Sequence, residues 1–97
     1  MKVIMLAEAI ADMEASREFY LEHASIAVAG QFLDQVERAS KRLAERPFLG
    51  APVTPALRRL LLKQFPYSLI YQVDNELVTI LAVAAHRRRP GYWAKRR

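Results

Sequence analysis

The residues best suited to chemistry in this chain are gathered at its C-terminal end. Residues 86–97 read HRRRPGYWAKRR: His86, then Arg87, Arg88 and Arg89, then Tyr92, Trp93 and Lys95, with six basic side chains and no acid. Residues 1–85 hold nine basic and ten acidic side chains, so the last twelve residues carry the whole net charge of +5. A positive field concentrated this way attracts polyanions and raises their encounter rate. Arginine forks grip phosphates or carboxylates two bonds at a time, and aromatic rings stack on bases or pin a segment to its domain. A plain reading stands beside this one: the run is a solvated tail, and Trp93 plugs the sheet edge. A Pro90-Gly91 turn with two aromatics after it is more than a disordered tail needs. Upstream, Arg59 and Lys63 share one side of a strand pattern with Leu61, while Arg58 projects to the other. Arg87, Arg88, Arg89, Tyr92, Trp93 and Lys95 are therefore the candidates for holding a negative or macromolecular target.

Other chemistries fail on residue type or spacing. The chain has no cysteine, which removes disulfides and thiolate metal sites. His23 and His86 form no paired-histidine motif, and neither has a carboxylate at ligand spacing, so no metal is expected. Three scattered glycines, 30, 50 and 91, make no phosphate loop. Ser16, Ser25, Ser40 and Ser68 lie in no nucleophile-elbow context. No cofactor and no small-molecule substrate are implied. The apolar run Val3–Ile10 lacks the length and flanks of a signal peptide, and nothing approaches the ~20 apolar residues of a membrane span. The expectation is a cytoplasmic protein with no membrane contact.

These groups need a scaffold to position them. At 97 residues, 53% hydrophobic and 26% charged, residues 1–97 suit one globular domain of two layers. Lys2–Leu6 reads as an edge strand. From Ala7 to His23 the period is helical, with Leu6, Ile10, Met13 and Tyr20 on the apolar stripe and Glu8, Asp12, Glu14 and Glu18 mostly off it. Ala24–Glu45 is a second helix, apolar at Ala29, Phe32, Leu33, Val36, Ala39 and Leu43. Asp34→Arg38 and Glu37→Lys41 stand at supportive spacing on its outer side, and Pro47 stops it. Phe48–Ala56 reads as a loop. Leu57–Phe65, Tyr67–Val73 and Leu77–Ala85 are strand-length apolar runs, the last two joined by a tight hairpin at Asp74-Asn75. Leu77–Ala85 is apolar on both faces (Leu77, Thr79, Leu81 and Val83 against Val78, Ile80, Ala82 and Ala84) and so reads as a central strand. The fold class is α+β: a strand, a two-helix hairpin packed on a mainly antiparallel sheet (β-α-α-β-β-β), and a short basic C-terminal segment.

The string "FPYSLIYQV", an apolar strand and then "RRRPGYW" resembles the RelE/ParE superfamily of toxins from bacterial toxin–antitoxin pairs. The helix with Ala9, Asp12, Met13, Phe19 and Tyr20 and the "RPFLG" helix exit fit the same pattern, over nearly the whole chain. The resemblance implies the toxin of a type II toxin–antitoxin (plasmid stabilisation) module, which arrests growth until a cognate antitoxin protein covers it. Two mechanisms share the fold. ParE-like members bind DNA gyrase; RelE-like members cleave messenger RNA on the ribosome without a metal. Carried over residue by residue, the nuclease reading places Tyr92 at the catalytic tyrosine, with Arg59, Lys63, His86 and Arg88 as its cationic and acid–base company. Ser68 and Leu61 stand where such enzymes carry further cations. His86 also sits one place away from the histidine of many relatives, on the opposite strand face. That incomplete set favours the gyrase-binding reading, with messenger RNA cleavage as the alternative.

Overall fold

The computed structural model describes residues 1–96 of the chain. β1 (Lys2–Met5) leads into α1 (Ala7–His23) and α2 (Ile26–Glu45), followed by β2 (Ala51–Pro52), β3 (Arg58–Leu61), β4 (Tyr67–Asp74) and β5 (Leu77–Ala85). The sheet order is β1-β5-β4-β3-β2. All neighbours are antiparallel except β1, which runs parallel to β5 along the edge. The expected α+β layering is present, and β1 is the edge strand anticipated.

Local chemistry explains the helix ends. The Ser25 hydroxyl accepts from the Val28 amide at 3.1 Å and caps α2, so that helix begins at Ile26 rather than Ala24. Its last residue, Glu45, precedes Arg46 and the blocking Pro47. Ala29, Phe32, Val36, Ala39 and Leu43 are buried, as the three- and four-residue spacing requires, while Leu33 packs only partly. On the outer side Glu37 and Lys41 meet at 3.1 Å. The ion pairs of the described residues do not include Asp34 with Arg38.

Five sequence expectations are corrected. Ile10 is 39% exposed, and α1 turns inward through Ala9, Met13 and Tyr20 instead, bringing Asp12 with them. The loop after α2 contains β2, anchored where the Gly50 amide donates to the buried Tyr71 hydroxyl at 2.8 Å. A Cβ on Gly50 would stand 2.7 Å from the Arg59 carbonyl oxygen, so only glycine fits that approach. The expected run Leu57–Phe65 shortens to Arg58–Leu61.

The fourth correction concerns alternation in β5. Register slips between Ile70 and Tyr71, so Ile70 pairs with Ala82 and Tyr71 with Ile80, leaving Leu81 as a bulge. Val78 and Ile80 before it, and Val83 and Ala85 after it, all face the helices. Ala82 and Ala84 turn to the far face with Ile70 and Trp93. One unpaired residue thus divides the apolar side chains differently from a strict two-residue period.

The β4–β5 turn is also displaced by one residue. Asp74 pairs with Leu77, so Asn75 and Glu76 are the turn residues, at φ 48° and 61°. Both central residues at positive φ make the turn twist with the strands, a position that suits Asn-Gly and strains a glutamate. Glu76→Gly is expected to stabilise the fold by about 0.5–1 kcal/mol, read as a rise of several degrees in thermal midpoint.

Candidate functional site

The terminal segment is folded, not trailing. Arg88 donates its amide to the Ala85 carbonyl at 3.1 Å, Gly91 takes a φ of 79°, and turns close from Ala94 to Gly91 and from Arg96 to Trp93. Trp93, 8% exposed, lies over Ile70, Ala82 and Ala84 on the sheet face away from the helices. It covers that face rather than plugging the edge.

The segment then rounds the open edge of β5. β1 pairs only with Leu77–Ile80, so the next part of β5 has no strand on that side. Asp12 and Arg96 take its place. Arg96 grips the Asp12 carboxylate with both guanidinium nitrogens, at 2.6 and 3.1 Å, and donates to the Leu81 carbonyl at 3.0 Å. Asp12 also accepts from the Val83 amide at 3.1 Å and from the Tyr92 hydroxyl at 3.3 Å. With the side chains 8% and 17% exposed, this is a nearly buried, two-pronged ion pair that also satisfies backbone.

The arginines are displayed on this base. Arg88 stacks over the Tyr92 ring at 3.8 Å, with Arg96 at 4.9 Å, and Arg87 lies over Phe19 of α1 at 4.7 Å. Arg87, Arg88, Arg89 and Lys95 are exposed. Arg59, His86, Arg88, Arg89, Tyr92 and Trp93 line one shallow hollow of about 160 Å³ over Ile70 and Ala84. In its wall the Ser68 hydroxyl and His86 Nε2 share a hydrogen bond of 2.8 Å. Lys63 does not join them. It lines a separate hollow with α2, so the strand pair expected from alternation is split. Among the described residues, no group of three or more His, Asp or Glu side chains could hold a metal. Chemically the surface is an array of guanidinium groups over an apolar floor, suited to gripping anions or carboxylates.

The family model described as "ParE toxin of type II toxin-antitoxin system, parDE" matches residues 3–90. The chain belongs to the ParE toxin family. A solved structure from P. aeruginosa, titled as its chromosomal ParDE TA system, shares the fold at a TM-score of 0.78 and 23% identity, over 88% of this chain and 95% of that one. No curated protein matches. The family match stops at Pro90, so the roles of Tyr92, Trp93 and Arg96 in this ParE-family chain rest on its own geometry.

Sequence reasoning missed Asp12 and Arg96 as partners. In sequence, Asp12 reads as a polar residue off the apolar stripe of α1, and Arg96 as part of a charge run 84 residues away. The available signal was Asp12's place between Ala9 and Ser16, at three- and four-residue steps along the side of α1 that faces the sheet. The pair also fixes the state of Tyr92. Burial first, then the negative charge of Asp12, pushes its phenol above the ordinary 10.0, against the pull of Arg88 and Arg96. Burial likewise raises Tyr71 and Tyr20.

Two outcomes follow. Asp12→Ala leaves Arg96 and the Val83 amide unpaired and is expected to cost about 3–5 kcal/mol in urea unfolding. In an Asp12→Ala/Arg96→Met double variant the loss should be clearly less than the sum of the singles. Because the folded-state phenols lie above their unfolded values, their stabilising effect is complete below pH 10.0 and disappears as pH climbs through the folded values. Stability should therefore fall in alkali, and Tyr92→Phe should flatten that fall.

Proposed function

We propose that this type II toxin arrests bacterial growth by binding DNA gyrase through its ordered arginine turn, without making or breaking bonds itself, and that a cognate antitoxin covers it. The observation that carries the proposal is the setting of Tyr92. Its hydroxyl donates to Asp12, Arg88 and Arg96 both lie over its ring, and its proton is held more tightly than usual. A phenol so placed is a structural donor, poorly suited to taking a proton from a 2′-hydroxyl. Lys63 stands apart from Arg59, and Ser68 occupies the hollow where a further cation would be needed to stabilise phosphorane charge. The ParE family match supports the same reading.

One observation favours metal-independent cleavage of ribosome-bound messenger RNA instead. Arg59 of β3 converges on a single hollow with His86, Arg88 and Tyr92 of the terminal segment. The readings part on one substitution. Tyr92→Phe removes a single 3.3 Å hydrogen bond and keeps the ring under Arg88. A gyrase binder should retain growth arrest in that variant and inhibit supercoiling by purified gyrase, with message intact. A nuclease should lose roughly a hundredfold or more of its message cleavage on translating ribosomes. Arg88→Glu/Arg89→Glu is expected to abolish growth arrest on the proposed reading. Full toxicity in that double variant would remove the arginine turn from the account.

A further inference from the structure

An uncharged loop adjoins the arginine turn. Between α2 and β3, residues 48–57 carry no charged side chain. Residues 51–56 are all exposed, with Val53 at 41%. Scattered apolar side chains are ordinary on a surface, whereas a contiguous uncharged stretch points to a contact.

The loop is built to keep its shape. Thr54 Oγ1 accepts from the Ala56 and Leu57 amides at 3.2 and 3.0 Å, and the Val53 amide donates to the Leu57 carbonyl at 2.8 Å. At its base Arg58 donates to the Phe48 and Gly50 carbonyls at 3.3 and 2.7 Å and lies over the Phe48 ring at 4.9 Å. Pro52 and Pro55 fix φ and have no amide to donate, so the loop presents side chains rather than a strand edge. Side chains held in this way lose little freedom on binding.

Its place decides what meets it. Leu57 packs against the far-face cluster of Ile70, Ala82, Ala84 and Trp93, and Arg59 lines the hollow with Arg88 and Arg89. Loop and arginine turn therefore form one continuous surface. A stable protein contact covers roughly 800 Å² on each partner, more than one shallow hollow supplies, so a partner on the turn extends beyond it. On its other flank the turn meets α1, where Arg87 lies over Phe19 and where Glu8, Glu14, Glu18 and Glu22 are exposed. An acidic partner drawn to the arginines is repelled along α1 and admitted over the uncharged loop.

We propose that residues 51–57 are the specificity-determining part of the target contact, seating Val53 in an apolar recess beside the carboxylates that the arginines grip. The inference rests on the gyrase reading and adds the chemistry of the surface recognised: an apolar recess bordered by acidic side chains. The arginines speed encounter, and the loop selects which acidic protein is retained. A nucleic-acid backbone uses the cations and leaves the loop bare, so the geometry favours a protein surface.

The test measures binding of the full chain to purified gyrase at low and at high salt. Val53→Asn places an amide in the recess and should weaken binding roughly tenfold or more, by the same factor at both salts. Val53→Ile should bind as the unaltered chain does. The loss in Arg88→Glu/Arg89→Glu should instead shrink as salt rises. An unchanged thermal midpoint in Val53→Asn shows that the fold is kept, as its exposed position leads us to expect. Equal binding of Val53→Asn and the unaltered chain overturns the inference and leaves the gyrase reading standing. A Val53→Asn loss that fades with salt also overturns it, as does self-association of the chain that this variant abolishes, which makes the loop a contact between copies. Absence of gyrase binding by the unaltered chain overturns both readings together.

Discussion

An unpaired stretch of β5 governs the arrangement of this molecule. A short parallel edge strand cannot cover a nine-residue neighbour, and buried backbone groups left without partners are costly. The solution is a carboxylate from α1 and a guanidinium from the C-terminal end, locked together and bonded to Val83 and Leu81. The pair ties the first helix, the central sheet and the C-terminal segment into one body. Without it the terminal arginines would be a tail; with it they occupy fixed positions.

Rigidity matters because of what the segment presents. A guanidinium already stacked on an aromatic ring and held by a turn loses less freedom on binding than one on a flexible tail. Arg87 over Phe19 and Arg88 over Tyr92 are held in this way. The same organisation draws Tyr92 inward, which is why a residue at the catalytic tyrosine's place in RelE-like relatives serves here as a donor to Asp12. Shared fold leaves function to the site.

The two basic hollows have different origins. The terminal one is built on the far sheet face around Trp93, where the bulge at Leu81 has brought Ala82 and Ala84 outward. The other sits at the opposite end of the sheet, where β2 ends too soon to cover β3. The gap beside β5 is filled from within the chain by Asp12 and Arg96.

Much of this could be read from residue order. Apolar spacing placed both helices to within two residues and located four of the five strands, because burial on one side of a helix or both sides of a strand imposes its period on the sequence. The basic excess at residues 86–97, and its association with aromatics and a Pro-Gly turn, were equally legible as composition. Four features were not. β2 is too short for periodicity, the bulge breaks a period rather than making one, and Lys63's separation from Arg59 depends on where β3 ends. The Asp12–Arg96 bond joins residues whose local surroundings both predict solvent. Only folding reveals that β5 outruns β1 there, since which backbone groups lack a partner is a property of the assembled sheet and of no single segment.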